Sequence, residues 1–221
     1  MTVKNISAEI SWIDRDINRF KLRGIMIPPN QRKIYTAIKD FWTNGRTVID
    51  IGCSIGIGTN ILSHTARHAW GIDINKDSIA FAKEMFERPN VSFDLMDLEH
   101  PTTREYAPFE VVVMSEVIEH LEDVESGLGS VKQFFSNKLN TVGFITVPNV
   151  NNEEIQKRDE ANPLHINHWT AGEFYELMTK HFQHVVLYSS DKLRNWDLSE
   201  TVDGASTDQI IIAKVEGVIN A

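Results

Sequence analysis

The chain has 221 residues, 42% hydrophobic and 24% charged, which is enough for one domain with a sizeable buried core. No apolar run approaches the roughly 20 residues of a membrane span, Met1 to Glu9 lacks the charged-then-apolar layout of a secretory leader, and a single cysteine, Cys53, forbids an intrachain disulfide, so a cytoplasmic location is expected. The formal net charge of −9 is unevenly spread, with nine Lys/Arg against four Asp/Glu up to Arg46 and 13 against 27 beyond it, and such an acidic body repels a phosphate backbone.

Residues 1–45 read as an N-terminal helical extension or cover. Trp12, Ile17 and Phe20 fall at helix-compatible spacing before a stop at Pro28-Pro29. Asn30 is placed to cap a helix running to Trp42, and Asn44-Gly45 turns the chain into a first strand. Arg15, Arg19, Lys21, Arg23, Arg32 and Lys33 make this segment basic; solvated or body-paired side chains are the simpler reading, contact with an anionic group on a substrate the sharper one.

Val48 to Thr59 is the most informative stretch. A β-branched apolar run carrying Asp50 stops at Gly52, followed by Cys53, Ser54, Gly56 and Gly58, and a helix starts directly after. Glycines here let the backbone turn with positive φ and come close to a ligand, and the helix N-terminus presents unpaired N–H groups. The order Gly-x-x-x-Gly-x-Gly differs from the Gly-x-Gly-x-x-Gly of dinucleotide sites. Cys53, small and within the turn, reads as packing rather than as a nucleophile.

The next elements repeat the strand-turn-helix rhythm. Ala69 to Asp73 is a short apolar strand ending in a carboxylate, with an amphipathic helix over Lys76 to Glu87. In a doubly wound sheet that acid lies beside the first glycine turn, where a carboxylate can accept both hydroxyls of a ribose. A third strand, Val91 to Leu95, leads to Asp97-Leu98; a fourth, Phe109 to Met114, runs into Glu116-Val117-Ile118-Glu119-His120; a fifth, Val142 to Val147, ends in Pro148-Asn149. Taken singly, Asp73 and Asp97 read equally well as helix caps or turn formers. Thr170 and Glu173 have the spacing of a capping box for a helix reaching His181. Strands near His184 to Ser189 and Gln209 to Lys214 are expected to form an antiparallel hairpin at the sheet edge, joined by a polar, mobile Asp191 to Thr207 segment.

Asp50-x-Gly52-x-Ser54-x-Gly56-x-Gly58 resembles motif I of the class I S-adenosylmethionine (SAM) dependent methyltransferases, with Ser54 where that family usually has a glycine. The resemblance covers residues 46–215 as a fold. It implies an α/β fold with a doubly wound, mostly parallel seven-stranded sheet, helices on both faces and an antiparallel C-terminal hairpin strand. It also implies SAM as cofactor, bound among Asp50, Gly52, Ser54, Gly56, Gly58, Asp73, Asp97 and Leu98. In it, Asp97 receives the adenine amino group and the Leu98 N–H faces a ring nitrogen.

Chemistry is expected where strands four and five end. Glu116, Glu119 and His120 follow one, and Asn149, His165 and His168 the other. His120 or His165 is the expected base for an oxygen or nitrogen nucleophile, with Glu116 and Glu119 facing the acceptor. Helical spacing would put Glu116, Glu119 and His120 on one face. With His165 they are similar to the metal-binding constellation of the small-RNA 3′-terminal 2′-O-methyltransferases, although Glu-His-Leu after strand four also occurs in metal-free small-molecule enzymes of the class. The reading adopted is a SAM-dependent methyltransferase domain over residues 46–221, without a metal, acting on a small-molecule acceptor. A metal-assisted RNA 2′-O-methyltransferase and a non-catalytic SAM-binding protein are the alternatives.

Overall fold

The computed structural model describes residue 18, residues 27–100, residue 106 and residues 108–219. Trp12, Ile17, Phe20 and the basic side chains before Arg32 lie outside these residues. Seven strands form one sheet in the order β3-β2-β1-β4-β5-β7-β6: β1 Thr47–Ile51, β2 His68–Asp73, β3 Val91–Leu95, β4 Val111–Ser115, β5 Val142–Pro148, β6 Phe182–Ser189 and β7 Ile210–Val218. The first five run parallel, and β7 inserts antiparallel between β5 and β6. The expected doubly wound sheet with its C-terminal hairpin is therefore what the chain forms.

Strand periodicity places the core on two faces. From β1, Ile49 and Ile51 join Val112 and Met114 of β4 and Ile145 and Val147 of β5 in one apolar layer. That layer is covered by α4 Val124–Lys132, through Leu128 and Val131, and by α6 Ala171–His181, through Phe174 and Met178. Val48, Val111, Val113 and Phe144 point the other way, onto Ile34, Tyr35 and Ile38 of α1 Pro29–Trp42. Asp50 shares the parity of Val48, so its carboxylate is aimed at α1.

Helix starts follow capping chemistry. Asn75 accepts from the Asp77 and Ser78 N–H groups to open α3 Lys76–Phe86, and Thr170 and Glu173 close the expected capping box of α6. α1 departs from expectation. Pro28 is its N-cap and Pro29 its first helical residue, because proline lacks only an N–H that would be unpaired there anyway. Asn30 instead donates from Nδ2 to Gln209 Oε1 at 2.7 Å.

The Asp191 to Thr207 connection carries two buried anchors among its polar residues. Leu193 is 1% and Trp196 8% exposed, and the Trp196 ring lies 4.7 Å from that of Phe144 and donates from Nε1 to the Ala37 carbonyl at 3.2 Å. Glu200 collects the backbone N–H groups of Arg194, Asn195 and Trp196. Polarity alone hid these contacts, since one tryptophan and one leucine do not make a periodic pattern. Lys33 likewise donates to the Ser190 carbonyl at 2.7 Å, which gives this basic residue a structural partner. Among the described residues no helix is long and apolar enough to cross a membrane.

Candidate active site

Sequence order reverses at β1. The chain moves outward to β2 and β3, then returns to place β4 on the other side of β1, and in open α/β sheets ligands settle in the crevice this creates at the strands' carboxyl ends. The glycine turn sits at that crevice. The Gly52 and Cys53 N–H groups both donate to the Ile72 carbonyl, at 2.8 and 3.0 Å, tying the turn to β2. Gly52 has φ +69° and Gly56 +83°, and a Cβ on Gly52 would stand 2.3 Å from Val117 Cγ2. Ser54 adopts φ +47°; a non-glycine residue there costs about 1–2 kcal/mol, and its N–H is held by Asp73 Oδ2 at 2.8 Å. Gly56 caps the short α2 helix, Ile57–Leu62.

Behind the turn Asp50 is fully buried. Its Oδ1 accepts from the Tyr35 hydroxyl at 2.9 Å and its Oδ2 from the Thr59 hydroxyl at 2.7 Å. Burial pushes its pKa up to about 7, the two hydroxyl donors opposing that rise and the charge of Asp73 adding to it. Asp50 therefore presents no surface to a ligand and binds α1, β1 and α2 together. Tyr35 and Thr59 were not singled out in the sequence, since nothing in a lone Tyr or Thr announces a partner 15 or 9 residues away. Gly58 is required by the same packing: a Cβ there would meet the Tyr35 ring at 2.4 Å. Burial also raises the Cys53 thiol pKa, consistent with packing rather than nucleophilic use.

Asp73 ends β2 beside this turn, as the doubly wound reading requires. Its Oδ2 accepts from Ser54 and its Oδ1 from the Asn75 N–H at 2.8 Å. Asp97 follows β3 half-buried, with Oδ1 accepting from the Glu99 N–H at 2.9 Å, and Leu98 is buried next to it.

The second cluster sits past β4 and β5. The segment after β4 is not the helix that the spacing implied. Glu116 has φ +57° and Ile118–His120 is a single 3-10 turn, so the three side chains do not share a helix face. Thr146 of β5 donates from Oγ1 to Glu116 Oε1 at 2.8 Å, and the same hydroxyl oxygen accepts from the Glu116 N–H at 3.1 Å. Burial raises the Glu116 pKa to about 7.

Glu119 is 0% exposed and, among the described residues, neither carboxylate oxygen has a hydrogen-bond partner. Burial, with the nearby charge of Glu116, holds its pKa well above the usual carboxylate range. One of its oxygens and one ring nitrogen each from His120 and His165 lie within 4.8 Å of one another. The His120 and His165 rings meet edge to face, with centroids 4.7 Å apart. His120 Nδ1 is 2.9 Å from the Leu164 carbonyl, so Nδ1 carries the proton and Nε2 the lone pair. Desolvation, with His165 alongside, lowers the His120 pKa to about 4. The structure thus brings Glu119, His120 and His165 together, and turns Glu116 toward Thr146. His64, His100 and His184 are exposed and His68 stacks on Trp70.

The comparisons agree with this geometry. A family described as "Methyltransferase domain" matches residues 26–196. A probable S-adenosylmethionine-dependent methyltransferase of Mycolicibacterium smegmatis is 27% identical over 135 residues, 61% of this chain and 50% of that protein. A ubiquinone biosynthesis O-methyltransferase of Aromatoleum aromaticum is 30% identical over 95 residues, covering 40% of this chain and 39% of the relative. The chain spans half or less of the length of these curated relatives. Among solved structures, the methyltransferase–activator complex of Haloferax volcanii has TM-score 0.71 at 15% identity, covering 97% of this chain and 98% of the other. N-methyltransferase NodS of Bradyrhizobium japonicum with S-adenosyl-L-homocysteine has TM-score 0.62 at 14% identity, covering 94% and 97%. At such identities they show the fold.

Proposed function

The chain belongs to the methyltransferase domain family, whose members here are SAM-dependent methyltransferases, and from that premise we propose that it moves a methyl group from S-adenosylmethionine to an oxygen or nitrogen of a small-molecule acceptor. One observation carries the reading: the β2-terminal carboxylate Asp73 is fastened to the glycine turn at Ser54, in the crevice where the strand order reverses.

In this reading the backbone of Gly52, Ser54, Gly56 and Gly58 lines the methionine end of the ligand. The Asp73 carboxylate takes the ribose hydroxyls, each such bond to a charged group being worth about 1.5–3 kcal/mol. Asp97 takes the adenine amino group and the Leu98 N–H a ring nitrogen. Asp50 serves from behind, by keeping the turn in shape through Tyr35 and Thr59. When bound, SAM supplies an electrophilic methyl on a sulfonium, which leaves as the neutral thioether once the acceptor attacks in line. The chain's task is then to hold the acceptor, exclude water and receive its proton. Holding the partners in line contributes several kcal/mol to lowering the barrier, and a general base about 10²–10⁴-fold. His120 and His165 offer Nε2 lone pairs for that proton, with Glu119 beside them. Incubation with methyl-labelled SAM and a metabolite extract is expected to label a small molecule; SAM binding with no label incorporated would instead make the chain a non-catalytic SAM-binding protein.

A second reading rests on the unpartnered carboxylate of Glu119. A divalent cation between Glu119, His120 and His165 would satisfy it and would polarise an acceptor hydroxyl. Full label transfer after EDTA dialysis would remove this reading, and loss restored by added Mn²⁺ or Zn²⁺ would favour it over the histidine base.

A further inference from the structure

The helix α5, Glu153–Glu160, reads Glu-Glu-Ile-Gln-Lys-Arg-Asp-Glu and has no apolar face, and its one buried residue is an acid, Asp159, 4% exposed. Hydrophobic burial does not account for where this helix lies. Asp159 does: one carboxylate oxygen meets His165 Nδ1 in a short hydrogen bond, and the other meets His168 Nδ1 at 2.6 Å.

We propose that Asp159 is a positioning residue for the methyl-transfer site, holding His165 in the tautomer that keeps its Nε2 lone pair free for the acceptor's proton. This deepens the reading given above and rests on it. An imidazole has one N–H and one lone pair when neutral, and the group facing Nδ1 decides which nitrogen carries which. A carboxylate accepts only, so both rings must offer it Nδ1–H, and both keep Nε2 free. His168 acts as the second arm, fixing the carboxylate plane so that Asp159 cannot swing away from His165. The role was invisible in the sequence, because an acid inside Lys-Arg-Asp-Glu reads as one more solvated charge.

Asp159→Asn is the discriminating substitution, since it preserves size while replacing one acceptor oxygen with an NH₂ donor. An amide cannot accept from both rings, so the ring facing NH₂ must present its lone pair at Nδ1 and move its proton to Nε2. Long-range ¹H–¹⁵N NMR of the imidazoles at pH 8 is expected to show Nδ1–H for both His165 and His168 in the wild type, and the Nε2–H form in at least one ring of Asp159→Asn. Where His165 is the ring that changes, label transfer from SAM into the extract should fall about 10²-fold or more, the low end of what a misplaced general base costs, while SAM affinity by calorimetry stays within about threefold. Nε2–H at His165 in the wild type, unchanged tautomers in the variant, or unchanged label transfer by a variant whose His165 has become Nε2–H would each overturn the proposal. Absence of SAM binding by the wild-type protein would instead overturn the functional reading, and the tautomer spectra would still decide the role of Asp159 by themselves.

Discussion

Replacing Asp50 with asparagine tests the interior of the cofactor turn quantitatively. In the folded chain this carboxyl has a pKa of about 7 against an ordinary value of 3.8, so the native state binds its proton more tightly than the unfolded state does. Stability from this group is therefore fully present below pH 4 and is lost as pH rises through 7. A shift of one unit corresponds to about 1.4 kcal/mol, which makes the whole span about 4 kcal/mol. The portion lost between pH 5 and 8 is about 3 kcal/mol. The amide in Asp50→Asn has no such titration, and its cost from facing one hydroxyl donor with an NH₂ does not vary with pH. Urea unfolding of both proteins at pH 5, 6, 7 and 8 gives the difference in stability at each pH, cancelling the contribution of every other titrating group. That difference should shift in favour of the Asp50→Asn variant by about 3 kcal/mol from pH 5 to 8, mostly below pH 7. A difference that stays flat within about 0.5 kcal/mol would show that Asp50 is ionised throughout, and would refute the argument that burial outweighs its two hydroxyl donors.

Other outcomes follow from the same contacts. Tyr35→Phe removes a donor from buried Asp50 and should lower the unfolding free energy by about 1–3 kcal/mol, read by the urea midpoint. Gly52→Ala puts a Cβ 2.3 Å from Val117 Cγ2 at a φ of +69°, so SAM binding should be lost by calorimetry; adding Val117→Ala should recover part of it by removing the clash but not the backbone strain. Asp73→Ala should weaken SAM binding at least tenfold, the equivalent of one charge-assisted hydrogen bond of about 1.5 kcal/mol, and unchanged affinity would contradict the ribose assignment.

The sheet was legible because its signals are local. β-branched runs end in Gly or an acid, amphipathic segments follow, and the capping pair Thr170 and Glu173 marks a helix start that the chain keeps. Asp73 was legible for a related reason: a doubly wound sheet fixes which strand end lies next to the glycine turn. What sequence missed depends on distance in the chain or on backbone detail. Tyr35, Thr59 and Asp50 meet only after α1 packs on the sheet. The Glu116 backbone turns left-handed as its carboxylate and N–H both close on Thr146 of the neighbouring strand, so the helical spacing argument fails: Glu116 stays within electrostatic reach of Glu119 but outside the trio of Glu119, His120 and His165. Asp159 and His165 are six residues apart, yet their pairing needs α5 to end where the following loop doubles back.

Titration of the wild-type protein with S-adenosylhomocysteine by calorimetry tests the central claim most directly, because it asks only whether the crevice between β1 and β2 holds the adenosyl group. The account predicts saturable one-to-one binding that Asp73→Ala weakens. A folded protein giving no saturable heat at millimolar ligand would contradict it.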